Sequence, residues 1–192
     1  MASKEQVSGY FAGRTGDQGS AQPPLLPTKH RDGAPPHNKW LMHFTEGEVE
    51  IRRAHADDHP YIAYSAEVDE PEDYAGRRVF GMFFFPRPVA EDAEDPDAEA
   101  EKYDRNLDRV VGQVDAVLGD GTCANLETED LVTSLEEIVS LLENTSFVGK
   151  IGAERGKKVD PDDTDKDAER YPTRNKITYF EPADAWEPTG EI

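Results

Sequence analysis

Apolar and polar positions begin to alternate at Gly47 and continue to Ala54, with Val49 and Ile51 on one side and Glu48, Glu50 and Arg52 on the other. A two-residue period is the signature of a strand with one buried face. His59-Pro60 interrupts it. Tyr61 to Val68 then alternates again, setting Ile62, Tyr64, Ala66 and Val68 against Tyr61, Ala63, Ser65 and Glu67. After the polar turn DEPEDYAG, the run RRVFGMFFF from Arg77 to Phe85 is apolar on both faces, with Gly81 in its middle. A glycine inside a strand predicts a bulge or bend that curls the sheet. Pro86 and Pro88 end the run.

The period then becomes helical. Leu107, Val110, Val111, Val114 and Leu118 form one stripe, stopped by Gly119 and Gly121. Leu131, Leu135, Ile138, Val139 and Leu142 form a second. Two further strands are predicted at Phe147–Ala153 and Arg174–Phe180, joined by the polar loop ERGKKVDPDDTDKDAERYP. The expected class is therefore mainly β with a helical insert, in the order β1-β2-β3-α-α-β4-β5. That is the layout of a five-stranded OB-fold-like barrel, a partly open Greek key that commonly binds oligonucleotides. Residues 1–39, rich in Gly, Pro, Ser and Gln, are expected to be a disordered tail. Residues 40–182 form the domain, with the acidic helical insert at about 91–143, and 183–192 form an acidic C-terminal tail.

Charge changes this picture only locally. The chain of 192 residues has 41 acids against 21 Lys and Arg, a net charge of -20. Residues 91–143 alone hold seventeen acids against three bases. Fields are screened over about 8–10 Å at physiological salt, so a distant basic patch keeps its own sign. No apolar run approaches the roughly 20 residues of a membrane span. The N-terminal residues lack the apolar stretch of a secretory signal. The single cysteine, Cys123, excludes an internal disulfide framework and a thiolate metal cluster. These features predict a cytoplasmic protein without a membrane partner.

Candidate chemistry is sparse. There is no Gly-rich phosphate loop, nucleophile elbow or metalloprotease helix, so neither an enzyme nor a cofactor is expected. Asp163, Asp165 and Asp167 match the first three ligand offsets of an EF-hand. Ala168 stands where that loop needs Gly, however, and Arg174 where it needs Glu, which favours a solvated loop. The five histidines have no zinc spacing. Single strands are held by basic grooves and aromatic platforms. Candidate rings are Tyr61, Phe80, Phe84 and Tyr171. Candidate cations are Arg52, Arg53, Arg77, Arg78, Lys150, Arg155, Lys157, Lys158, Arg174 and Lys176. On strand 3, Arg78, Phe80, Met82 and Phe84 share one face and Val79, Phe83 and Phe85 the other, and only one of these faces can line the core. The alternative reading gives the rings to the core and the arginine pairs to salt bridges with Glu48, Glu50 and Glu67.

The run EDYAGRRVFGMFFF, with the later pair FVGKIGAERG and YPTRNKITYF, resembles the third strand and closing hairpin of the small phage-encoded OB-fold single-stranded DNA-binding proteins. The resemblance covers about residues 44–182. It implies sequence-nonspecific binding of single-stranded DNA in phage or viral replication or recombination, in the host cytoplasm. It also implies partner recruitment through the acidic tail around Trp186, and leaves homo-oligomerisation open. The rival reading is an acidic interaction protein that mimics nucleic acid and occupies a basic host partner. A surface adapted to high salt is compatible with either.

Overall fold

A computed structural model describes residues 25–29, 32–55, 58–90, 93–119, 121–125, 131–160, 164 and 170–187. The elements are β1 (Lys39–Arg53), β2 (Pro60–Glu70), β3 (Arg78–Phe83), α1 (Pro96–Leu118), α2 (Leu131–Leu142), β4 (Ser146–Glu154) and β5 (Arg174–Pro182), with short 3-10 turns between some of them. All strand pairs are antiparallel, in the order β3-β2-β1-β4-β5. The hydrogen-bonded sheet is open, with β3 and β5 as its edges.

Side chains, not backbone hydrogen bonds, bring the edges together. Each strand contributes one aromatic ring to a closed circuit. Phe44 of β1 meets Tyr64 of β2 at 5.2 Å, Tyr64 meets Phe83 of β3 at 4.8 Å, and Phe83 meets Phe180 of β5 at 5.4 Å between centroids. Phe180 meets Phe147 of β4 at 5.3 Å, and Phe147 returns to Phe44 at 4.6 Å. Aromatic pairs at these spacings add to the free energy of burial. The Phe83–Phe180 link spans the gap between the two edge strands.

β1 is longer than the alternation from Gly47 suggested. Trp40, Met42 and Phe44 are fully buried, and Val49 follows with the opposite parity. Pairing with β2 slips between Phe44 and Val49, around Gly47 at φ +70°. This bulge lets both apolar stretches face one core.

Gly81 plays a different part from the bend expected. Pairing of β2 with β3 runs without a slip from Ile62–Phe83 to Glu67–Arg78. Gly81 lies opposite Tyr64, and a Cβ there would stand 2.3 Å from the Tyr64 hydroxyl and 2.4 Å from Cζ. The glycine makes room for the ring.

α1 starts at Pro96, eleven residues before Leu107, the first residue of the apolar stripe read from the sequence. The Asp95 carboxylate accepts from the Ala98 amide at 3.1 Å, proline occupies the first turn, and Asp97 and Glu99 favour the positive end of the helix dipole. Its buried residues, Val110, Val114 and Val117, face the core, as do Leu135, Ile138 and Leu142 of α2.

Part of the segment expected to be a disordered tail packs on the domain instead. Leu26 and Ala34 are buried in the core, and the Leu26 backbone exchanges two hydrogen bonds with the Asn175 side chain, at 2.6 and 3.2 Å. Residues 1–24 and 188–192, and most of the Asp-rich loop, lie outside the described residues. Among the described residues, no helix is long and apolar enough to cross a membrane.

Candidate nucleic-acid interface

The outward face of β1, β2 and β3 carries most of the aromatic candidates. Val79, Phe83 and Phe85 are buried, so Phe80, Met82 and Phe84 point outward, at 48%, 51% and 41% exposure. Between this stripe and β1, the outward positions of β2 are short or flat: Tyr61, Ala63 and Ser65, all buried. In register, Ala63 lies opposite Glu50 and Met82, and Ser65 opposite Phe80. These positions are covered by their taller neighbours, so the accessible surface here is the Phe80, Met82 and Phe84 stripe, and Tyr61 is not the exposed platform expected from the sequence. Tyr61 stacks on Phe84 at 5.7 Å with planes 28° apart, and the His59 ring lies 5.7 Å from Phe84. His59 is fixed by a 2.9 Å hydrogen bond between Nε2 and the Phe85 carbonyl oxygen. The Ser65 hydroxyl, opposite Phe80, is buried without a hydrogen-bond partner among the described residues.

Beside the stripe, Arg78 and Arg52 are engaged by carboxylates that the salt-bridge alternative names, and Arg53 by Asp58. Arg78 donates to Glu48 at 2.6 Å and to Glu67 at 3.2 Å. The Glu48 charge is the main cause of its raised pKa. Arg52 pairs with Glu50 through Nε at 2.8 Å, and Arg53 pairs with Asp58 at 2.9 Å. Arg77 lies over the Tyr74 ring, 5.1 Å from its centroid, away from the stripe.

The remaining candidates belong to β4, β5 and the loop between them. A narrow ribbon forms the base of that loop. Lys158 bridges Arg170, and the Tyr171 amide donates to the Lys157 carbonyl at 2.9 Å. Arg155, Lys157 and Tyr171 are exposed there. Gly156 is required by proximity, since a Cβ would fall 1.8 Å from the Tyr171 carbonyl oxygen. Lys150, Arg174 and Lys176 lie on the outward face of the β4–β5 hairpin and pair with Glu181 or Glu154.

Two exposed residues belong with these groups although neither is among the candidates drawn from the sequence. Met82 follows from the same alternation that exposes Phe80. Tyr179 carries no such signal. Regular alternation from the buried Ile177 turns it inward, but pairing of β4 with β5 slips between Lys150 and Ile151. The Thr178 hydroxyl donates to the Lys150 carbonyl at 3.0 Å at this slip, and Tyr179 emerges at 53% exposure.

Cys123 is buried, and its thiol is pushed up to about 12 by burial first and then by Asp115, which disfavours the thiolate. Asp58 and His59 are committed to Arg53 and the Phe85 carbonyl. No family model, curated protein or solved structure matches the chain.

Proposed function

We propose that the chain is an OB-fold-like protein that binds single-stranded DNA without sequence preference and serves phage or viral replication or recombination. The observation that carries this reading is the exposed stripe of Phe80, Met82 and Phe84, with Phe84 backed by the buried Tyr61 ring. Unstacked bases present flat apolar faces to such a surface, and each stack is worth about 1–3 kcal/mol by alanine substitution. The mechanism is stacking with phosphate neutralisation and involves no bond chemistry. In this reading the acidic insert stands outside the interface, and residues 183–192 recruit partner proteins.

The test is titration of labelled oligo-dT with the full chain, with a duplex of equal length as comparison. Single strands are expected to bind preferentially, with affinity falling as salt rises by roughly 0.7 in log–log slope per neutralised phosphate. Phe80→Ala and Phe84→Ala should each weaken binding by about fivefold or more. No binding by folded protein at low salt would exclude the reading.

The nucleic-acid-mimic reading draws support from Arg78, which is held between two carboxylates beside the stripe. It requires a basic protein partner and no affinity for oligo-dT.

A further inference from the structure

Cations on the two halves of the sheet are neutralised unequally. On the β1–β3 half, Arg78 is shared by two carboxylates, Glu48 and Glu67. Around β4 and β5, with Lys39 of the neighbouring end of β1, the sharing is reversed. Glu181 is held by Lys39 at 2.5 Å and Lys150 at 3.6 Å, and Glu154 by Arg174 at 2.8 Å and Lys176 at 3.6 Å. Among the described residues, this network sets four cations against two carboxylates. Glu187 also acts on Lys39, which reduces the positive surplus without cancelling it. Both shared carboxyls have pKa values lowered by their basic partners, so they stay ionised and the surplus is fixed at neutral pH.

Tyr179 stands beside two of these cations, Lys150 and Lys39, with Lys176 earlier on its own strand. In register it faces Lys150, which in turn faces Lys39. Lys150 Nζ lies 4.9 Å from the ring centroid and covers one side of the ring, while the residue as a whole is 53% exposed. The two edge strands meet through their inward rings. Phe83 and Phe180 touch on the inner side of the gap between β3 and β5. Their chain neighbours, Met82 and Phe84 on one edge and Tyr179 on the other, therefore flank the outer side of the same gap.

We propose that Tyr179 and the surrounding Lys39, Lys150 and Lys176 form a second contact surface for the single strand, supplying the phosphate neutralisation that the β3 stripe lacks. A base stacks on the ring face opposite Lys150, and the adjoining phosphates lie against the lysines. The strand thus crosses the β3–β5 gap from the Phe80–Phe84 stripe to Tyr179. This inference rests on the single-strand reading above and assigns the two halves of the interface different work: rings on β3, charge on β4 and β5.

Fluorescence anisotropy with labelled oligo-dT tests it in the full chain. Tyr179→Ala should lower affinity by about five- to 150-fold, whereas Tyr179→Phe keeps the ring and should bind nearly as the parent does. Lys150→Gln with Lys176→Gln should flatten the log–log salt dependence by about 1.4, at roughly 0.7 per phosphate. Phe80→Ala, on the first surface, should lower affinity and leave that slope unchanged. If Tyr179→Ala loses its fold by circular dichroism, Tyr179→Leu keeps apolar bulk without a ring and should show the same loss. Parent-like affinity in the Tyr179 variants and an unchanged slope in the lysine variant, with Phe80→Ala still weakened, would overturn this inference and leave the single-strand reading standing. Absence of binding by the parent protein would overturn both.

Discussion

At the scale of single residues, the tightest constraint lies where Gly81 meets Tyr64. The Tyr64 ring is wedged among Phe44, Phe83 and Phe180, at 5.2, 4.8 and 6.3 Å between centroids. It cannot retreat from a Cβ placed 2.3 Å from its hydroxyl. Packed interiors resist even one added methyl, and overpacking costs about 1–3 kcal/mol. Gly81→Ala should therefore lower stability by that amount, read as a lower urea midpoint. The double variant Gly81→Ala with Tyr64→Phe should recover little, because Cζ would still lie 2.4 Å from the new methyl. An unchanged midpoint in Gly81→Ala would show that the ring has another place to go. The sequence displayed the glycine but not its partner. A lone strand glycine is equally consistent with a bulge, and only the Tyr64–Gly81 register decides between the two.

At the scale of elements, the sequence was legible wherever parity or helical spacing held over a whole run. All five strands and both apolar helix stripes could be located from their periods. The failures within the strands share one cause: a bulge reverses parity, and one sequence cannot display where two strands slip. Around Gly47 the slip hides the first half of β1, and at Thr178 it turns Tyr179 outward. The beginning of α1 escaped for another reason, since residues 96–106 contribute none of its buried positions and the turn starts on a cap. The two glycines also separate physically. A Cβ added at Gly47 would meet no atom of the described residues within 4 Å, but the backbone φ there is +70°. Gly47→Ala should cost about 1–2 kcal/mol from left-handed backbone alone. Gly47→Asn, which tolerates that region better, should cost less. Equal urea midpoints for the two variants would rule out backbone conformation as the source of the bend.

At the scale of the whole molecule, the proposed single-strand reading has to be compatible with a net charge of -20. Distance and screening decide whether it is. α1 has 23 residues, about 35 Å of helix, and its buried residues all lie from Val110 onward. Asp97, Glu99, Glu101 and Asp104 in its N-terminal half precede Leu107, its first residue packed on the core, and Asp108 follows it; all five acids are exposed. At about 0.15 M salt the screening length is near 8 Å, and at about 0.01 M near 30 Å. If the N-terminal half of α1 stands clear of the proposed interface, its acids should repel DNA only in dilute salt. Replacing these five residues by Asn or Gln should raise oligo-dT affinity markedly at about 0.01 M salt and leave it nearly unchanged at about 0.15 M. Anisotropy titrations of both proteins at the two salt concentrations would decide the matter. An equal gain at both would mean that α1 lies against the bound strand, and that its carboxylates compete directly with phosphate for the lysines around Tyr179.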